Sequence, residues 1–254
     1  LKRKLQNTTG KIIPLFTVLL ILLVWQIASS IGLIPSFMLP SPIDVIKAFV
    51  SDFGLLMENA GVTLAEAFLG LGLGILIGFL IAVIMDWSEI LYEAVYPLMV
   101  ITQTVPTVAI APLLVLWFGY EMTPKIILIV IVTFFPVAVS LLNGFRSADP
   151  DMIQLMRSMG AGNFQTFWYV KLPGAMGQFF ASLRIAVSYA VVGAVISEWL
   201  GGFSGLGVYM TKVRKAYSFD KMFAVIFLIS AISLLLIKGV DILQKKCTPW
   251  EEKK

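Results

Sequence analysis

Apolar runs long enough to cross a bilayer constrain this chain more than any other feature. IILIVIVTFFPVAVSLL (126–142) and LGLGILIGFLIAVIM (71–85) contain no charged residue. A helix spans about 30 Å of hydrocarbon with roughly 20 residues, and it satisfies its own N–H and C=O groups where no water can. Six spans are predicted, near 12–30, 62–85, 92–118, 124–143, 177–199 and 222–243. The expected fold class is all-α, a polytopic membrane protein with about six transmembrane helices and one domain over 1–254. Composition agrees: 59% of residues are hydrophobic and 13% charged, against roughly 45–50% and 25% in soluble domains. The run 12–28 is long for a signal h-region and lacks a small-residue cleavage site before Ile31-Gly32, so it reads as a retained first span.

Several chemistries are excluded. Histidine is absent and cysteine occurs once, at Cys247, so neither a disulfide framework nor a His/Cys metal site can form within one chain. A Ser/His nucleophile is ruled out for the same reason. No G-x-x-x-x-G-K-[ST] run exists to cradle phosphates. The chain is therefore read as having no catalytic residues, no metal and no cofactor of its own. The net charge of +4 is assigned to topology and membrane lipid headgroups, not to nucleic acid.

Orientation follows from Lys and Arg. With the N-terminus inside, eleven fall on the cytoplasmic side (Lys2, Arg3, Lys4, Lys11, Arg146, Arg157, Lys171, Lys245, Lys246, Lys253, Lys254). Six fall outside (Lys47, Lys125, Lys212, Arg214, Lys215, Lys221). Both termini are expected in the cytoplasm of a cell-membrane protein. Arg184 and Lys238 lie in spans five and six near their inner ends, where long side chains snorkel to the interface. Two features fit this topology poorly: the inner loop near Asp86 and Glu89 is acidic, and the outer loop after span five is basic.

Within the spans, Gly70, Gly74 and Gly78 make overlapping GxxxG steps, suited either to intrachain packing or to a dimer contact. Pro97, Pro106 and Pro112 should kink span three, since each lacks an N–H. Irregular backbone at membrane depth persists where it is buried in protein or borders a watery path. Candidate pathway or gate residues are Glu66, Thr102, Gln103, Thr104, Thr107, Ser140, Asn143 and Glu198. Their alternative roles are plain helix–helix bonding for the neutral groups and, for the two carboxylates, simple exposure near the outer ends of their spans.

Between spans four and five lies a stretch too short and polar to cross, yet rich in large apolar side chains. Asp149-Pro150-Asp151 starts a helix, and Met152, Leu155, Met156 and Met159 follow at i, i+3, i+4 and i+7. Gly160 and Gly162 interrupt it, Phe164, Phe167 and Trp168 resume the spacing, and Leu172-Pro173 is expected to stop the second short helix. Three destinations stay open for these faces: the lipid interface, the protein's own inner surface, or a groove on a soluble partner.

Gly160, nine residues, then Val170-Lys171-Leu172-Pro173 resembles the cytoplasmic signature E-A-A-x3-G-x9-I-x-L-P of ABC importer permeases. Its first three positions depart, being Gln154-Leu155-Met156. PLMVITQTVPTVAIAPLLVLWFG (97–119) and FMLPSPIDVIKAF (37–49) are similar to the nitrate/sulfonate/taurine branch. That branch commonly has arginine where Glu66 and Gln103 stand.

The resemblance implies a type I ABC importer permease working as a homodimer. Two ABC ATPase subunits, carrying ATP and Mg, would bind its cytoplasmic face, and an extracytoplasmic substrate-binding protein would serve it outside. Residues of the coupling region, about 149–173, would then be Gln154, Leu155, Met156, Met159, Gly160, Ala161, Gly162, Val170, Leu172 and Pro173, with the Phe164–Trp168 face packed nearby. The expected cargo is a sulfonate, nitrate or taurine-like solute or a vitamin-precursor heterocycle. An ATP-independent transporter or channel is the competing reading; it predicts an inverted repeat or midplane ion-binding carboxylates. A membrane scaffold that moves no solute is a third.

Overall fold

The computed structural model describes residues 2–31, 35 and 38–250. Gly32, Phe37, Lys253 and Lys254, used above, lie outside the described residues, as do the side chains of Lys2, Arg3, Lys4 and Lys11. Every regular element among the described residues is helical: α1 (Lys2–Ser30), α2 (Pro42–Ser51), α3 (Phe53–Trp87), α4 (Glu89–Thr104), α5 (Thr107–Phe118), α6 (Met122–Arg146), α7 (Pro150–Ser158), α8 (Asn163–Thr166), a π-helical turn (Phe167–Lys171), α9 (Leu172–Gly201), α10 (Leu206–Lys215) and α11 (Phe219–Cys247). The chain is thus an all-α membrane protein.

Four stretches among the described residues are long and apolar enough to span by themselves: 53–87, 122–146, 163–201 and 219–247. The predicted third span is not one helix. α4 and α5 meet at 97°, because Pro106 has no N–H to continue α4 and holds Val105 in an extended conformation. Counting the bent pair as one gives five spans, with the apolar part of α1, Phe16–Ser30, a shorter helix. Six was therefore approximate.

The chain divides into two compact units, 1–57 with 209–228 and 58–208 with 229–254. In the first, Trp25 of α1 sits 5.7 Å from Phe223 and 5.8 Å from Phe227, and its indole N–H donates to the Pro40 carbonyl at 3.1 Å. Ser41 caps α2 by accepting the Asp44 N–H, so part of the predicted 31–61 loop is an amphipathic helix.

The second unit carries the main core, built on α6 and α9, with Val137, Leu141, Phe145, Ala186, Ala190 and Ala194 buried. α3 joins through its glycines. A Cβ at Gly70, Gly74 or Gly78 would come within 2.5, 2.0 or 2.7 Å of Ile129, Thr133 or Phe134 of α6. That glycine stripe serves intrachain packing, so the dimer reading of GxxxG falls away.

Candidate functional site

The two ends of α9 carry the sites. Preceding its N-terminus, α7 is capped by Asp149, whose carboxylate accepts the Asp151 N–H at 2.9 Å, with Pro150 opening the helix. It ends in a Schellman motif. Gly160 has φ +84°, its N–H donates to Arg157 O, and the Ala161 N–H reaches back to Met156 O, each at 3.0 Å. Gln165 Oε1 then accepts the Gly162 N–H at 2.9 Å, starting α8.

No residue of α7 is buried. Met152, Leu155 and Met159 are 48%, 54% and 74% exposed, so packing against the chain's own surface is not where this face goes. Gln154 and Gly162 are exposed and Met156, Ala161, Val170, Leu172 and Pro173 half-buried. A small cavity of about 220 Å³ opens at the bend, lined by Met156, Met159, Gly160, Ala161, Gln165 and Tyr169.

Two expectations here are corrected. Leu172-Pro173 does not stop a helix: α8, the π turn and α9 run on continuously. The Leu172 N–H donates to Phe167 O, five residues back. This wider π register accommodates Pro173, which has no N–H and would crowd the Tyr169 carbonyl in a regular α-helix. The Phe164–Trp168 face packs only through Phe167, not through Phe164 and Trp168. Those rings stack on each other (6.2 Å, 14°) and stay exposed, whereas Phe167 is buried against Phe145 (5.0 Å) and Trp87 (6.2 Å). Lys171 pairs with the nearly buried Asp86 at 2.8 Å, and Arg146 pairs with Glu89 at 2.9 Å while lying over the Tyr92 ring. The acidic loop that fitted the topology poorly is thus compensated by neighbouring cations.

At the C-terminal end of α9 the two candidate carboxylates are not exposed: Glu66 and Glu198 have 2% and 1% accessibility. Lys125, counted as a loop cation, is 5% exposed and donates to Glu66 Oε1 at 2.5 Å. Burying a charge is tolerated only when it is paired and hydrogen-bonded. Glu198 Oε1 accepts from the Thr63 hydroxyl (2.7 Å) and Oε2 from the Gly207 N–H (2.6 Å). Thr63 Oγ1 in turn accepts the Leu206 N–H at 2.9 Å, and Asn59 Oδ1 the Gly205 N–H at 2.9 Å. The Glu66 and Glu198 carboxyls also face each other.

The glycines of GGFSGLG are required by this packing. A Cβ on Gly205 (φ +116°) would lie 2.2 Å from the Glu198 carboxylate, and one on Gly207 2.4 Å from Val195 O. Thr63, Asn59 and Lys125 escaped the sequence reading. Their partners are distant in the chain, and no local pattern marks them.

The remaining candidates do not join this cluster among the described contacts. Thr102, Gln103 and Thr104 are exposed at the end of α4, beside the break, and Thr107 is half-buried at the start of α5. The Thr102 and Thr104 hydroxyls donate to carbonyls three residues back, at 2.6 and 2.8 Å. Ser140 is half-buried and Asn143 exposed on α6. No group of His, Cys, Asp or Glu suited to a metal occurs among the described residues.

Residues 74–250 match the family described as binding-protein-dependent transport system inner membrane component. The chain belongs to that family. It is 36% identical over 242 residues, 94% of this chain and 96% of the relative, to the formylaminopyrimidine transport permease protein ThiX of Halalkalibacterium halodurans. It is 31% identical to the taurine transport system permease protein TauC of Escherichia coli, covering 92% of this chain and 88% of that one. The fold is similar to an inward-facing MetNI methionine ABC transporter chain, with TM-score 0.69 at 19% identity, covering 77% of this chain and 97% of that one. The family match and these two relatives support the sulfonate/taurine branch of ABC transporter permease components for this multi-pass membrane protein.

Proposed function

We propose that this permease is the membrane subunit of an ATP-driven importer, with both termini cytoplasmic. It acts as a homodimer with two ATPase subunits on its inner face and an extracytoplasmic binding protein outside. The observation that carries the reading is the bare apolar face of α7 ending at the Gly160 bend. An exposed Met/Leu stripe beside a small cavity suits the groove of a soluble partner, since methionine adapts its shape to a contact. A lipid anchor would carry more cations on its polar face than Arg157 supplies.

Coupling then follows. Met152, Leu155, Met156 and Met159 seat in the ATPase, the bend at Gly160–Gly162 fixes their angle, and the continuous helix 163–201 carries displacement toward the other end of α9. ATP biases two states of the ATPase pair, so the permease alternates between them. The break at Val105–Pro106, with uncharged Thr102, Gln103, Thr104 and Thr107, is the segment we assign to the solute path. Absence of cations there favours a neutral heterocycle of the formylaminopyrimidine kind over a sulfonate. The buried carboxylates Glu66 and Glu198 are committed to Lys125, Thr63 and backbone N–H groups, which weighs against an ion-coupled carrier.

Affinity purification of the tagged chain in gentle detergent tests the reading: an ATP-binding subunit is expected to co-purify. Its loss in Gly160→Arg, with membrane insertion retained, is the second expected result. A wild-type chain that purifies alone while transporting solute would sink it. Calorimetry on the partner binding protein, with formylaminopyrimidine against taurine, decides the cargo.

A further inference from the structure

Along α9 from the Glu198 cluster, toward its N-terminal half, α9 and α11 border an open cavity of about 600 Å³. Its polar lining is Arg184 from α9 and Lys238, Asp241, Gln244, Lys245 and Thr248 from α11 and its end. Three cations thus face one carboxylate. Arg184 Nε donates to Asp241 Oδ1 at 2.5 Å and Nη2 donates to Gln244, so the guanidinium is held in place at the cavity. Lys238 and Lys245 are exposed and enter no ion pair among the described residues. Like charges gathered around a concave site repel one another, and a bound anion relieves that repulsion.

The surrounding pattern says what kind of anion. Leu235, Lys238, Ile242 and Lys245 follow one another at spacings of three, four and three, which places them on one face of α11. Leu235 and Ile242 are 68% and 50% exposed. Apolar and cationic residues alternate along this stripe, with Lys245 nearest the helix end, so an acyl chain can lie along Leu235 and Ile242 while the long Lys238 and Lys245 side chains reach a phosphate. We propose that this cavity binds the phosphate of an anionic phospholipid, with Arg184, Lys238 and Lys245 as its cationic contacts and Leu235 and Ile242 beside an acyl chain. A zwitterionic lipid carries its own cation and gains less from the site, and free phosphate gains nothing from the apolar stripe. The inference needs only this end of α11 at a membrane surface, so it is independent of the cargo.

The full chain, reconstituted in nanodiscs of phosphatidylcholine with and without phosphatidylglycerol and then released for native mass spectrometry, tests it. Retained phosphatidylglycerol is expected in preference to phosphatidylcholine. Lys238→Gln with Lys245→Gln should weaken that retention on the order of tenfold. Lys212→Gln with Lys215→Gln, equally exposed on α10, should leave it unchanged. The two tested lysines are exposed and the Arg184–Asp241 pair stays intact, so the variant is expected to melt as the parent does. Equal retention of both lipids, insensitivity to the Lys238/Lys245 change, or equal thermal protection by inorganic phosphate would each overturn the proposal. So would a second copy of the chain that occludes the face and is released by the same change. Loss of lipid binding with ATPase recruitment intact would leave the importer reading standing, and the reverse result would separate the two the other way.

Discussion

The two ends of α9 solve opposite problems. At the C-terminal end, buried polar groups find partners inside the unit: Glu198 takes Thr63 and Gly207, and Lys125 takes Glu66 Oε1, leaving Glu66 Oε2 without a hydrogen-bond partner among the described residues. At the N-terminal end, large apolar side chains that water penalises are left largely uncovered: Met159, Phe164 and Tyr169 are 74%, 67% and 69% exposed. The first end is nearly closed upon itself, which marks it as scaffold. The second is incomplete, which marks it as a surface built for another molecule. Exposure of apolar area, not conspicuous chemistry, is what separates site from framework here.

The largest effect should come from breaking the closed end. Glu66→Ala leaves the Lys125 ammonium buried and uncompensated, a change worth about 3–5 kcal/mol. We expect a sharp drop in Tm in detergent. Glu66→Met combined with Lys125→Leu should recover most of it, because removing both charges also removes their desolvation cost. A double variant as unstable as the single would mean that the pair is not coupled, and the contrast between the ends would lose its energetic basis.

Next comes a comparison inside the open end. Phe167→Ala empties a buried site and should cost about 3 kcal/mol or slightly more, whereas Phe164→Ala, three residues away, should change stability by less than about 0.5 kcal/mol. Co-purification of the ATPase should respond in the reverse order per unit of stability lost. Equal effects of both changes on Tm would contradict the placement of Phe167 in the core.

Gly160→Ala probes the bend with less bulk than arginine. A Cβ there meets nothing within 4 Å, so the penalty is the left-handed conformation alone, about 1–2 kcal/mol. Global Tm should move little, since the motif is local and exposed. ATPase retention should fall measurably yet less than in Gly160→Arg, which adds a clash with whatever covers the bend. Identical loss in both variants would assign the effect to backbone geometry and remove the argument for a seated contact.

These contrasts follow what was legible in the sequence. Membrane class, helical fold and the amphipathic spacing of 152–159 came from periodicity and length, which are local properties. The bend at Gly160 was equally local. What stayed hidden depended on partners far along the chain. Lys125 looked like a loop cation, because nothing near it announces Glu66, 59 residues away. Phe167 and Phe164 shared one apolar spacing, and only the contacts with Phe145 and Trp87, distant in the chain, decide which faces the core. Pro106 was one of three prolines expected to kink span three, yet it alone breaks the helix, while Pro97 and Pro112 sit within α4 and α5. The substrate path was least legible because neutral Thr and Gln serve helix packing and solute contact alike.

The smallest predicted effect lies in the other compact unit, where a polar cluster is neither sealed nor bare. Asp52, at the end of α2, accepts from Lys221 Nζ at 2.8 Å and from the Tyr209 hydroxyl at 2.6 Å. Lys221 first and Tyr209 second hold its carboxyl below the ordinary value of 3.8. A depressed folded-state pKa contributes stability that is complete above the unfolded value and disappears as pH falls through the folded one. Lys221 is 35% exposed, so the contribution is limited to about 1 kcal/mol or less by solvent screening. Asp52→Asn should therefore lower Tm slightly at neutral pH, and the gap to the parent should close on acidification below the ordinary carboxyl range. A gap that stays constant with pH would make the Asp52 contact one of shape and hydrogen bonding, with no charge term. The half-exposed pair would then behave like neither the sealed carboxylates nor the open knuckle at the two ends of α9.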